Sequence, residues 1–209
     1  MIHYLSGMEL LAFDETWYEQ VEYITRTETY LLTKTRADLE PVAKDGRVLI
    51  AIDTDDLHKV VGCIVLWDLG SDDLGNPWYE LGTFFVRPEY RFGRTHLPIG
   101  DQLYARLLEE HPEKNILGTT GNKKAIHTGA RHGMQMIRFG QLPEAVRRAT
   151  CICPIEKTGA TNNFHCRAKD SLCRVRVSTP TWDRMGRPER LFRPLSDDPP
   201  TNRLTKETS

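Results

Sequence analysis

Residues 80–100 read Glu80-Leu-Gly-Thr-Phe-Phe-Val-Arg-Pro-Glu-Tyr-Arg91, then Phe-Gly-Arg-Thr-His-Leu-Pro-Ile-Gly100. Glu80 to Arg87 is rich in aromatic and branched apolar residues and stops at Pro88, which predicts a strand. An Arg- and Gly-rich loop, Arg91 to Pro98, follows it. A helix then runs from about Ile99 to Glu110, with Ile99, Leu103 and Leu107 on one face and Asp101 in its first turn, until His111-Pro112 ends it. A helix start offers unpaired N–H groups and positive potential, which suits a phosphate. Arg91 and Arg94 would add bidentate donors beside it. An ordinary surface loop fits the same residues, and on them alone both readings stay open.

The pattern continues on either side. Arg47 to Asp53 and Val60 to Leu69 are near-continuous apolar runs, as expected of strands in a sheet covered on both faces. Before them, an amphipathic helix is predicted over residues 14–30, capped by Asp14 with Trp17, Val21 and Ile24 on one face. A weaker helix over Tyr30 to Leu39 should end before Pro41. After them come a strand at Asn115 to Thr119 and a helix opened by Gly121-Asn122 and closed by Gly133. Strands at Met134 to Phe139 and Cys173 to Ser178 complete the pattern. Lys123 and Lys124 occupy the first turn of the helix after Asn122, where cations are disfavoured by about 0.3–1 kcal/mol. An anion bound between the two helix starts would reverse that sign.

In this order, the stretch from Arg47 to Phe139 resembles the GNAT superfamily of acyl-CoA-dependent N-acyltransferases. The resemblance rests on the strand ending Val86-Arg-Pro88-Glu-Tyr-Arg91, on Ile99-Gly100-Asp-Gln-Leu103, and on Asn122-Lys-Lys-Ala125 with Gly133-Met134. It implies an α/β fold with a mixed, mostly antiparallel central sheet flanked by helices and splayed between its fourth and fifth strands. Residues 1–179 would form one domain, in which residues 1–40 make a wall of the acceptor pocket, and 180–209 a Pro/Arg-rich tail. The implied reaction is direct acyl transfer from acetyl-CoA or another acyl-CoA to an amine of a small molecule or peptide. By resemblance, Glu80 takes the amine's proton, and a backbone N–H near Phe85 or Val86 polarises the thioester carbonyl. Tyr90, His96 or His127 would protonate the thiolate. Arg91, Gly93, Arg94, Ile99, Gly100, Asn122 and Lys123 would hold CoA. Each of these side chains also has an ordinary structural reading, which for Glu80 is a solvent-exposed strand end.

The stretch departs from the family pattern in three places. Pro98 stands where the pyrophosphate loop has its central glycine and lacks the N–H needed there. Gly129 occupies the place of the frequent Tyr acid, and Met134 replaces the usual Phe. Two other readings remain open at this stage. Glu80-x-x-x-Phe84-Phe85-Val86 with Pro98-Ile99 also resembles the acyl-homoserine-lactone synthases, which carry Arg where this chain has Thr83. The altered loop and missing Tyr would equally suit a non-catalytic CoA-binding or protein-interaction module.

The chain has 209 residues, with 28 Lys and Arg against 29 Asp and Glu, a formal charge of −1. That balance argues against wholesale binding to nucleic acid or an anionic membrane. The longest apolar run, Val60 to Trp67, is far short of the ~20 residues needed to cross a bilayer. The amino terminus lacks a signal-peptide pattern, so a cytoplasmic protein is expected. Cys63 reads as core. Cys151, Cys153, Cys166 and Cys173 cluster late, with His165 beside the third. Structural zinc held by the four cysteines, free thiols, and disulfides under oxidising conditions are the three readings. The tail from Pro180 reads as a solvated segment, or as an arm packing on a second copy in a homodimer through Trp182, Leu191 and Phe192.

Overall fold

Val-Leu-Ile-Ala-Ile-Asp at 48–53 is buried at every position, as a strand covered on both faces must be. It is β2 (Val48–Asp53) of a seven-stranded sheet in a computed structural model that describes residues 1–91, 98–150 and 174–180. The other strands are β1 (Ile2–Ser6), β3 (Lys59–Ser71), β4 (Pro77–Val86), β5 (Asn115–Thr120), β6 (Gln135–Ile137) and β7 (Arg174–Ser178). Their order is β1-β2-β3-β4-β5-β7-β6, antiparallel throughout except for the parallel pair β4–β5. The sheet is therefore the mixed, mostly antiparallel one expected.

Helices cover both faces. On one, α1 (Gly7–Leu11), α2 (Thr16–Thr27) and α3 (Arg36–Lys44) bury Leu10, Trp17, Val21 and Leu39 against Ile50, Cys63, Val65 and Phe85. On the other, α4 (Ile99–Glu110) buries Leu103, Tyr104 and Leu107 against Leu49, Ile64, Leu81 and Ile116. α5 (Lys123–Arg131) follows β5, and α6 (Glu144–Ala149) adds Val146 to a third cluster around Trp78, Leu117 and Val177. Among the described residues, no helix is long and apolar enough to cross a membrane.

Two helix starts differ from expectation. α2 begins at Thr16 with Glu15, not Asp14, in the cap position, although the Asp14 carboxylate accepts the Thr16 N–H at 3.0 Å just ahead of it. The helix expected over Tyr30 to Leu39 does not form. Instead Thr35 is extended and opens α3 with a reciprocal capping box, and the helix continues through Pro41. The cap decides this: Thr35 accepts from the Asp38 N–H, and Asp38 accepts from the Thr35 N–H at 2.8 Å. Burial of Leu39, Val42 and Ala43 then outweighs the hydrogen bond that Pro41 forfeits. Thr35→Ala should destabilise the fold by about 1 kcal/mol, a fall of roughly 2–4 °C in melting temperature; calorimetric unfolding measures it. β1 and α1, in a stretch with no clear period, have no counterpart in the sequence reading.

Two irregularities shape the centre of the sheet. β4 and β5 pair only over Trp78–Glu80 and Asn115–Leu117. Beyond that, β4 stays with β3 while β5 stays with β7, so the two strands diverge into a wedge. β4 also carries a bulge. Cys63 pairs with Phe85 but Val65 with Gly82, so β4 holds one residue more than β3 there. Within it Thr83 has φ +49, a left-handed conformation that a β-branched residue adopts only under constraint.

Candidate active site

Glu80 is the last residue of β4 paired with β5, so it stands at the apex of the wedge. The Thr119 hydroxyl donates to its carboxylate at 2.9 Å. Across the sheet Glu80 faces Trp67 of β3. The Trp67 indole lies over Gly82, where a Cβ would come within 2.9 Å of its ring, and its Nε1 donates to Thr83 Oγ1 at 3.1 Å. That bond anchors the strained bulge residue. On the ring of Trp67 sits the ammonium of Lys34, 3.9 Å from its centroid. Burial raises the Glu80 carboxyl above its ordinary range, and the Thr119 hydroxyl and Lys34 charge only partly oppose this. Burial likewise lowers the Lys34 ammonium, against the pull of Asp38 and Glu80. Glu80 is therefore not a solvated strand end.

On the α4 side, the helix start presses against β4. A Cβ at Gly100 would come within 3.2 Å of the Phe84 ring. The Asp101 and Gln102 N–H groups donate to the Pro98 carbonyl at 2.9 and 3.2 Å, while those of Ile99 and Gly100 precede any acceptor of their own helix. Past Glu80, the β5-facing edge of β4 through Phe85 to Val86 has no strand partner. Arg91 Nε donates to the Val86 carbonyl at 2.8 Å, which ties Arg91 to the strand end. Its Nη2 reaches the Tyr30 hydroxyl at 3.4 Å. Gly93, Arg94 and His96 lie outside the described residues.

The two helix starts do not share one anion. Asp101 in the first turn of α4 meets Arg131 at 2.5 Å and His132 at 3.5 Å, both at the far end of α5. Lys123 therefore stands about 12 Å away along α5, at 1.5 Å per residue. Asn122 caps α5, accepting the Lys124 N–H at 3.0 Å, and Asn122, Lys123 and Lys124 are exposed beside the open end of β5.

Tyr90 is not brought to Glu80. Its hydroxyl donates to Asp53 at 2.9 Å and Asp56 at 3.3 Å. Burial and these carboxylates push its pKa up to about 12. Asp53 pairs with Lys59 and Glu80 with Trp67, which puts the two sites about 25 Å apart along β3. Tyr90 therefore holds the β2–β3 turn and is not the acid at the wedge. His127 is exposed on α5.

A buried arginine occupies the other side of the apex. Arg176 of β7 pairs with Gly118 of β5 and is 2% exposed. It donates to the Tyr104 hydroxyl at 3.0 Å and to the Ala125 carbonyl, while its Nε has no partner among the described residues. A Cβ at Gly129 would overlap its Nη1 and lie 3.0 Å from Cζ. The room that a tyrosine at 129 would have needed is thus filled by Arg176. A lone Arg in an alternating strand gave no signal of this.

A cleft of about 80 Å³ runs between the end of α2 and the end of β4, lined by Tyr23, Ile24, Tyr30, Phe85, Val86 and Arg91 among others. No group of three or more metal-ligating side chains occurs among the described residues. Cys151, Cys153, Cys166 and Cys173 lie outside them. Cys63 is a buried free thiol, as expected.

No protein-family model matches the chain, and no curated protein does. Solved structures do. Rv2747 from Mycobacterium tuberculosis, in complex with CoA and NLQ, aligns with TM-score 0.55 at 20% identity over 85% of this chain and 98% of that one. Arabidopsis thaliana Naa50, in complex with the bisubstrate analogue CoA-Ac-MVNAL, aligns with TM-score 0.52 at 15% identity over 85% and 98%. A GNAT-family acetyltransferase from Staphylococcus aureus Mu50 aligns with TM-score 0.50 at 18% identity over the same shares. At these identities the likeness establishes the fold, that of the GNAT acetyltransferases.

Proposed function

We propose that the chain is an N-acyltransferase that moves the acyl group of acetyl-CoA, or a related acyl-CoA, directly to an amine. The observation that carries this reading is the wedge itself. One unpaired strand edge, one helix start and one desolvated carboxylate converge on a gap between two parallel strands. Neighbours of the same fold hold CoA or a CoA-containing analogue, which supports acyl-CoA as the substrate lying in that gap.

In this reading the pantetheine arm runs along the free edge of β4, and the pyrophosphate meets Ile99 and Gly100 N–H groups with Arg91 beside them. Gly93 and Arg94, the next basic and glycine positions in the sequence after Arg91, are assigned to the same phosphates. Asn122 and Lys123 flank the β5 side. Asp101 would repel an anion, and Arg131 neutralises it. The acceptor ammonium loses a proton to Glu80, directly or through water, and the free amine attacks the thioester carbon. A backbone N–H near Phe85 or Val86 stabilises the oxygen as it gains charge. The C–S bond then breaks, and the proton shed by the nitrogen balances the one gained by the thiolate.

Isothermal titration with acetyl-CoA should give a Kd between about 1 μM and 1 mM, and an amine panel should release free CoA thiol. No heat and no thermal shift with acetyl-CoA would sink the reading. Binding without transfer to any amine would leave a CoA-binding module in its place.

A further inference from the structure

Lys34 puts a second charge at the apex, and its position is fixed from three directions. Its backbone N–H donates to Thr25 Oγ1 at 3.0 Å, and that hydroxyl donates to the Lys34 carbonyl at 3.5 Å, tying the loop to the buried side of α2. Thr35, the next residue, is locked as the cap of α3. The ammonium itself rests on Trp67, the direct cross-strand neighbour of Glu80. Cross-strand neighbours hold their Cβ atoms about 5 Å apart, so the two charges flank the same spot.

No carboxylate pairs with Lys34 within ion-pair distance among the described residues. The Asp38 carboxylate, the nearer alternative, is occupied by the Thr35 N–H and hydroxyl at 2.8 and 2.9 Å. A half-buried ammonium without a partner is costly. It also repels the ammonium that any amine acceptor brings to Glu80. A polyamine or a simple arylalkylamine would meet that repulsion with no carboxylate of its own to offset it. An acceptor whose amine and carboxylate are separated by one carbon answers both charges at once.

Building on the acyltransferase reading, we propose that the acceptor is a free α-amino acid, its carboxylate held by Lys34 and its amine delivered to Glu80. Trp67 serves as the platform that keeps the lysine in place. Lys34 is in this view a specificity-determining residue, and it takes no part in proton transfer.

The test uses the full chain and a panel of the twenty amino acids, their amides and their decarboxylated amines. Thiol release from acetyl-CoA measures transfer, and saturation-transfer NMR measures binding without turnover. At least one amino acid should be used tenfold or more in preference to its amide and its amine. Lys34→Met keeps the packing on Trp67 without the charge. It should raise the KM for that amino acid 10- to 100-fold with little change in the KM for acetyl-CoA, and Lys34→Arg should recover part of the loss. Amides or amines used as well as the amino acids, peptides acetylated in their place, or a Lys34→Met variant indistinguishable from wild type would overturn the proposal. So would a panel in which nothing binds or reacts. Amino acids that bind in a Lys34-dependent way without thiol release would uphold the carboxylate site and count against the transferase reading instead.

Discussion

Glu80→Gln should lower kcat/KM for acyl transfer by about 10²- to 10⁴-fold, the usual range for loss of a general base, while raising thermal stability at neutral pH. The two effects share one cause. Burial raises the folded pKa of Glu80 above its ordinary value of 4.5. The fold therefore prefers the protonated acid. Its stabilising contribution is complete below the unfolded pKa and is lost as pH rises through the folded one. At neutral pH the ionised carboxylate is a burden on the fold, and glutamine removes it while keeping an acceptor for the Thr119 hydroxyl. Melting temperatures of variant and wild type should differ at pH 8 and converge below about pH 4. The wild-type rate should rise with pH through the elevated Glu80 pKa, and that limb should vanish in the variant. Turnover that survives the substitution would remove Glu80 from the mechanism and leave the fold untouched.

Gly129→Ala should be damaging. The added carbon would overlap the Arg176 guanidinium, which must then shift away from the Tyr104 hydroxyl and the Ala125 carbonyl it donates to. Overpacking of this kind costs about 1–3 kcal/mol, and displacing a buried charge from its acceptors adds to it. A fall of roughly 5–10 °C in melting temperature is expected. Arg176→Met alone should be nearly neutral, because no carboxylate pairs with Arg176 among the described residues and a well-packed apolar side chain often replaces a buried ion without loss. In that background Gly129→Ala should cost under about 1 kcal/mol, since alanine also favours helix. Chemical denaturation of the four proteins closes the cycle. Equal costs in both backgrounds would show that the guanidinium is not what excludes the methyl group.

The parts of this architecture legible in the sequence are those where composition and position agree. β2 and most of β3 are near-continuous apolar runs, and β4 and α4 are bounded by Pro88 and His111-Pro112. Glu80 could be singled out because a resemblance pointed at it, not because a lone glutamate on a strand signals burial. The helix expected before Pro41 is displaced because the Thr35–Asp38 capping box, opening six residues ahead of the proline, sets the start. Helix starts at Ile99 and Asn122 were correctly placed along the chain, yet one-dimensional spacing does not reveal that α4 begins where α5 ends. Lys34, Trp67 and Arg176 left no trace, since a lysine on a weak expected helix and an arginine in an alternating strand look solvated. Thr83 is the sharpest case. Its β-branched side chain argues for regular strand, and only tertiary packing holds it in the left-handed region.

The short seam between β4 and β5 has a mechanical meaning. Four strands lie on one side of it and three on the other, and among the described residues the ladder across it has three residue pairs. The ladder between the halves ends at Glu80, while each half keeps its own ladder beyond that point. A molecule lying in the gap and bonding to both strands splints the halves together. Binding energy would then appear partly as stiffness, felt in strands that the ligand never touches.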